Sequence, residues 1–232
     1  MCVCAPVSDS GDHVSRPGAL NGAMQASEKI PGVRITAAAV EEPGGIETLR
    51  TCLALAADKA VLIRNPGISR YDPAAFGALM AGAVASIEET DGTFDAIFCG
   101  DNDQGQEGLG PALAGYLGRP QITGASSIER DAHSLLVRQN WDGACTLLQV
   151  NTPCVISFLP SHAPVGYPKL PRLMAANRAE VPVYGVQTSP RVQQLLSFHP
   201  RPGNERIFKG SEAGLFVKCL LDEPLLRDAY TL

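Results

Sequence analysis

Short apolar runs alternate with helix-patterned stretches through the first 125 residues, and this alternation narrows the possible folds more than any other feature of the chain. Residues 33–40 read as a strand broken by Pro43, Gly44 and Gly45. Residues 47–57 follow with helix-favouring side chains, including Leu49 and Leu53, and residues 60–64 form a second strand. Asp72 then caps a helix that has Pro73 at its first position. Phe76, Leu79, Met80, Ala83, Val84 and Ile87 recur at helical spacing and make one face of that helix apolar. Residues 94–99 form a third strand, running into a glycine-rich loop and a helix that ends near Gly118. Residues 2–5 read as a further, short central strand. Such alternation predicts an α/β fold, a mostly parallel sheet with helices on both faces.

The pattern changes from about residue 121. Residues 133–138 and 144–150 flank Asn140-Trp141-Asp142-Gly143, a hairpin signal, and residues 153–158 add another strand. Beyond Val183 the chain is proline-rich, with Pro190, Pro200 and Pro202, before a last helix over about 211–221. Nearly fifty residues with one short helix are too few to build a core. The expected organisation is therefore an α/β domain over 1–184 and a C-terminal extended arm over 185–232 that packs on a partner subunit.

Composition excludes several classes of function. Nineteen basic residues against 24 acidic ones leave a net charge of −5, without the basic stripe of a nucleic-acid binder. No stretch reaches the roughly 18 consecutive apolar residues that a membrane span needs, so no membrane insertion is expected. The start has no basic n-region and no long apolar core, so a cytoplasmic chain without a signal peptide is expected. Seven cysteines (Cys2, Cys4, Cys52, Cys99, Cys145, Cys154 and Cys219) form no C-x-x-C pair and sit mostly in apolar runs. They read as reduced thiols, not as a disulfide framework or a zinc site. His13, His133, His162 and His199 lie far apart, and none has a partner at metal spacing. No G-x-S-x-G elbow marks a nucleophile.

The stretch from Cys99 to Pro111 is the most informative. Its sequence, Cys99-Gly100-Asp101-Asn102-Asp103-Gln104-Gly105-Gln106-Glu107-Gly108-Leu109-Gly110-Pro111, follows a parallel strand and opens a helix, where open α/β sheets place ligands. Glycines let backbone N–H groups converge, and a helix N-terminus favours a phosphate. No Lys-Ser/Thr follows, so it is not a Walker A loop, and it does not read G-x-G-x-x-G. Local pattern alone leaves two readings open: a nucleotide loop, or a glycine-rich connection with solvated acids.

Four stretches, in order along most of the chain, carry a family likeness. Glu47-Thr48-Leu49-Arg50 through Ala57-Asp58-Lys59-Ala60 resembles E-T-x-R-x-A-L-A-M-G-A-D-x-A. Residues 100–121, closing Leu117-Gly118-Arg119-Pro120-Gln121, resemble a nucleotide loop followed by L-G-W-P-Q. Asn140-Trp141-Asp142-Gly143 resembles an E-x-D-G-G hairpin. Tyr167-Pro168-Lys169-Leu170-Pro171-Arg172-Leu173-Met174-Ala175-Ala176 resembles R-Y-A-T-L-P-N-I-M-K-A. The chain thus resembles a divergent beta subunit of an electron transfer flavoprotein.

The resemblance implies half of a heterodimer, an electron carrier subunit and not a stand-alone catalyst. Its alpha subunit would supply most contacts to a shared FAD, and the beta site would hold AMP or a second FAD. The implied cofactor-binding residues are Cys4, Gly100, Asp101, Gly105, Gln106, Glu107, Gly108, Leu109 and Gly110. Leu170 corresponds to the leucine with which the family anchors a flavin-dependent dehydrogenase, with Tyr167 beside it. Val165, Tyr167 and Leu170 also lie among Pro164, Pro168 and Pro171, a stiff loop that presents an apolar anchor at low entropic cost. Two departures stand out. Glu107-Gly108-Leu109-Gly110 replaces N-Q-T-G, and the N-P-F-D/E stretch that opens the helix after the first strand reads His13-Val14-Ser15-Arg16. The alternative is an adenine-nucleotide-binding regulatory domain without a redox role.

Overall fold

Five-residue apolar runs become the middle of a nine-stranded sheet in the computed structural model, which describes residues 2–4, 17–68, 72–101, 108–131, 134–161 and 167–186. In chain order the elements are β1 (Cys2–Cys4), α1 (Gly18–Lys29), β2 (Thr36–Val40), α2 (Gly45–Leu55), β3 (Lys59–Ile63), α3 (Pro73–Asp91), β4 (Ala96–Gly100), α4 (Leu109–Leu117), β5 (Gln121–Asp131), β6 (Ser134–Trp141), β7 (Ala144–Asn151), β8 (Cys154–Phe158), α5 (Leu170–Arg178) and β9 (Val183–Tyr184). The strand order is β7-β6-β5-β8-β4-β1-β2-β3-β9. All pairings are parallel except β5 with β6 and β6 with β7.

β2, β4 and β8 are buried along their whole length, which is why they read as continuous apolar runs and not as alternating ones. Leu20, Met24, Leu49, Leu53 and Ile128 pack on one face of the sheet with α1 and α2. Phe76, Leu79, Met80, Ile87, Leu109 and Leu113 pack on the other with α3 and α4. Helices cover both faces, as expected. Phe98 and Phe158 meet edge to face within the sheet, their ring centroids 4.9 Å apart.

Local chemistry sets the element ends. Asp72 accepts the N–H of Ala75 at 3.0 Å and caps α3, with Pro73 in the first turn. At the far end, Glu88 takes the Phe94 N–H at 2.8 Å and a two-oxygen contact from Arg119 Nη2 at 2.7 and 2.9 Å. This nearly buried pair ties the end of α3 to the end of α4. Asp142 (φ 51°) and Gly143 (φ 78°) make the tight turn between β6 and β7, as their sequence predicts.

Some boundaries differ from the sequence expectation. β2 starts at Thr36 and not at residue 33, and β4 starts at Ala96. α1 starts at Gly18 after Pro17, whereas the helix start read at residues 13–16 lies outside the described residues. β5 is an eleven-residue strand that the sequence reading left unassigned. Of the expected arm over 185–232, only Gly185 and Val186 are described, and Val186 packs against α3 at Gly82.

Candidate functional site

The chain reverses its direction of travel across the sheet between β1 and β4: β2 and β3 lie to one side, β4 and β8 to the other. Ligands of open α/β sheets bind outside the carboxyl ends of the strands at such a point. Gly100 closes β4 there, paired with Phe158 of β8, and Cys4 closes β1, paired with Ala38. The next residue, Asp101, donates its N–H to the Phe158 carbonyl at 2.8 Å. Its Oδ2 accepts the Gly124 N–H at 2.6 Å. Gly124 has φ 65° and lies where the pairing of β5 with β8 slips between Ile122 and Ala125. The Asp101 carboxylate thus clamps an irregular strand beside the site. Gly105, Gln106 and Glu107 lie outside the described residues.

The chain returns at Gly108, whose φ of 86° suits glycine and starts α4 without a side-chain cap. The amides of Leu109 and Gly110 in this first turn therefore face no capping side chain from α4 itself. Gly110 is needed for packing: a Cβ there would run into Ser157 Oγ. Gly18 at the start of α1 fits for the same reason, since a Cβ would run into the Phe158 carbonyl and lie 3.2 Å from the Gly100 Cα. On the other face, a Cβ on Gly108 would lie 3.5 Å from Pro73 Cβ, and one on Gly77 would lie 2.7 Å from Ala112 Cβ. These two pairs are in register, so α3 and α4 run parallel with their N-termini side by side. Three helix N-termini, those of α1, α3 and α4, therefore converge on the ends of β4 and β8. Their partial positive charges favour an anion. The structure brings together Gly100, Asp101, Gly108, Leu109 and Gly110; Leu109 itself is a core residue, so only its backbone is available.

A cleft of about 390 Å³ opens at the opposite, amino end of the strands, lined by Arg34, Asp58, Lys59, Asp91, Asp95 and Arg130 among others. Lys59 is held by Asp91 at 2.8 Å, and Asp58 accepts the Ile35 N–H at 2.8 Å. Among its charges, Lys59, Asp91 and Asp58 are thus engaged with the protein. Geometry favours the carboxyl edge as the ligand site.

Tyr167 and Leu170 lie elsewhere. Where the sequence suggests a stiff loop, Leu170 opens α5, with Lys169 before it and Pro171 in the first turn. Leu170 is 68% exposed and Tyr167 fully so. Leu173 and Met174 are exposed beside them. Arg172, which sequence reasoning did not single out, holds the helix: its Nε donates to the Leu53 carbonyl at 2.9 Å and its Nη2 to the Ala57 carbonyl at 3.1 Å. The Leu53 carbonyl lies in the last turn of α2 and that of Ala57 just past its end, where a cation is also favoured by the helix dipole.

The thiols are quiet. Burial pushes Cys52 up to about 12. It does the same to Cys154, where the neighbouring Asp95 adds to the effect and Arg119 opposes it. Cys99, next to Gly100 on β4, is fully buried, and Cys145 on β7 is exposed. No group of three or more potential ligands gathers for a metal among the described residues. None of the described helices is long and apolar enough to cross a membrane.

The family model for the electron transfer flavoprotein domain matches residues 17–189. The chain is 29% identical over 163 residues to protein FixA of Azorhizobium caulinodans, covering 67% of this chain and 57% of FixA. It is 29% identical over 170 residues to the electron transfer flavoprotein subunit beta of Megasphaera elsdenii, covering 71% and 62% of the two chains. It is 29% identical over 136 residues to the acryloyl-CoA reductase electron transfer subunit gamma of Anaerotignum propionicum, covering 57% and 49%. In these three alignments the matched part spans about half to three fifths of each relative's length.

Proposed function

The chain belongs to the electron transfer flavoprotein family, and from that premise we propose that it is a beta-type subunit of a heterodimeric carrier. In this reading an alpha-type subunit supplies most contacts to a shared FAD, and this chain holds an adenine nucleotide, AMP or a second FAD, at the edge formed by α1, α3 and α4. A flavin-dependent dehydrogenase docks on the outer face of α5. The chain is an electron carrier subunit and works in the cytoplasm. When bound, the flavin accepts electrons from one partner and releases them to another. The protein's task is to bind, orient and dock.

The observation that carries the reading is α5: a helix fixed by Arg172 that leaves Tyr167, Leu170, Leu173 and Met174 in solvent. Such a cluster suits an aromatic and aliphatic anchor for a partner protein. The nucleotide half rests on the residues themselves. The uncapped first turn of α4 offers the backbone amides of Leu109 and Gly110 to a phosphate, and glycines at 18 and 110 let α1 and α4 pack close against β8 beside it. In this reading the backbone of residues 108–110 carries the phosphate, and Gly105, Gln106 and Glu107, which lie outside the described residues, are further candidates from the sequence.

Co-expression with an alpha-type subunit followed by a visible spectrum tests the reading. The expected product is a yellow heterodimer absorbing at about 370 and 450 nm, with one adenine nucleotide released on denaturation. Two flavins per heterodimer would place the second FAD in the beta site. A colourless chain that retains AMP and ignores every alpha-type partner would replace this reading with a regulatory nucleotide-binding domain.

A further inference from the structure

We propose that Asp72 is a ligand-binding residue of the same edge, and that its second carboxylate oxygen accepts a hydrogen bond from a ribose hydroxyl of the bound nucleotide. The inference rests on the adenine-nucleotide reading of the α4 edge. Asp72 is only 6% exposed. Its Oδ1 caps α3 through the Ala75 N–H, but its Oδ2 is buried with no hydrogen-bond partner. A cap needs one oxygen, and serine or threonine would supply it without burying a charge. A buried carboxylate with an unused acceptor is costly, and each such group in a folded protein calls for a reason.

Position supplies the reason. Asp72 immediately precedes Pro73, whose Cβ lies 3.5 Å from where a Cβ on Gly108 would stand, so Asp72 sits at the residue next to the contact between the starts of α3 and α4. An ionised carboxylate only accepts hydrogen bonds, so the ligand atom it meets must be a donor. Phosphate oxygens are excluded on that ground. With the phosphate on the α4 amides, the next donors along an adenine nucleotide are the ribose hydroxyls. An acidic residue at a strand–helix edge takes ribose hydroxyls in dinucleotide folds by the same chemistry.

The experiment measures binding of AMP, 2′,3′-dideoxy-AMP and inosine monophosphate by calorimetry. It compares the full-length wild-type chain with Asp72→Ser, which keeps the cap and removes the second oxygen. Wild type is expected to bind dideoxy-AMP about tenfold more weakly than AMP, as for a lost hydrogen bond to a charged group. Asp72→Ser is expected to bind AMP about tenfold more weakly than wild type and to lose the discrimination against dideoxy-AMP. A melting temperature like that of wild type, against a lower one for Asp72→Ala, shows that the cap survives. Unchanged AMP affinity in Asp72→Ser, or discrimination that persists in it, overturns the inference and leaves the nucleotide reading standing. Loss of discrimination against inosine monophosphate in place of dideoxy-AMP also overturns it, because the acceptor would then face the base amine. A wild-type chain that binds neither AMP nor FAD overturns both.

Discussion

α4 and α5 are both nine-residue helices, and they use their apolar residues in opposite ways. α4 buries Leu109, Gly110, Leu113 and Ala114 and presents only backbone at its N-terminus. α5 buries Ala176 alone, is held by one arginine, and turns Leu170, Leu173 and Met174 outward. The first arrangement suits a small ligand, which needs a fixed constellation of donors. The second suits a protein partner, which needs exposed apolar area on a support that does not shift. A helix that fails to bury its apolar residues is informative only when something else explains why it stays folded, and Arg172 provides that here.

Removing one core leucine from α4 should produce the largest effect. Leu113 is fully buried between α3 and the sheet, so Leu113→Ala should cost about 2–5 kcal/mol in urea unfolding. A cost under about 1 kcal/mol would mean that α4 is loosely packed and that the contrast with α5 fails.

The comparison also shows what sequence can reveal. β2, β4 and β8 were legible because strands covered on both faces are unbroken apolar runs, and α3 because Asp72-Pro73 is a local start signal. β5 was not: Thr123-Gly124-Ala125-Ser126-Ser127 has the composition of a turn. It becomes a strand through pairing with β8 and β6 on either side and through the Asp101 clamp on Gly124, a contact 23 residues away in sequence. At the site, the glycines around α4 were visible as a pattern, whereas the unused oxygen of Asp72 needs a three-dimensional census of donors. At α5, Pro168 and Pro171 suggest a loop, but a proline in a first turn starts a helix as readily as it breaks one. Arg172 gave no local signal because its partners, the carbonyls of Leu53 and Ala57, are more than a hundred residues distant.

Two thiols test whether the layers beneath the two helices stay closed. Cys52 lies on α2, which carries α5, and Cys154 opens β8, on which Gly110 of α4 packs. Both are pushed up from the ordinary value of 9.0 to about 12, mainly by burial. The unfolded chain therefore ionises these thiols first. Their contribution to stability is complete below pH 9 and is lost as pH rises toward 12. The loss should approach about 1.4 kcal/mol per pH unit for each thiol. Unfolding at pH 8, 9 and 10 measures it, and alkylation of the native protein should label exposed Cys145 before Cys52 or Cys154. Equal labelling rates for Cys52 and Cys145 would show that α2 opens readily under α5.

A smaller effect is expected from Arg172→Ala, which removes the hydrogen bonds to the Leu53 and Ala57 carbonyls and should cost about 1 kcal/mol. Its signature is local: amides of α5 should exchange faster with solvent while those of α4 do not change. Arg172→Lys keeps the charge but loses the fork that reaches both carbonyls, so it should recover only part of the protection. If α5 amides stay equally protected in Arg172→Ala, the helix is held by something other than this arginine.

Leu170→Ala should change stability least and function most selectively. At 68% exposure, truncation should move the unfolding free energy by no more than about 0.5 kcal/mol. If Leu170 anchors a dehydrogenase, the same truncation should slow electron transfer into the heterodimer by about fivefold or more, the effect of removing a central contact from an interface. The loss should appear in the dependence on dehydrogenase concentration and leave the flavin spectrum unchanged, because α5 lies apart from the α4 edge in contacts and anchoring. Tyr167→Ala, at a fully exposed neighbour, gives the internal check. A defect in Leu170→Ala together with one in Tyr167→Ala defines a patch, whereas full rates in both folded variants would leave the outward apolar face of α5 without a partner and remove the functional half of the contrast with α4.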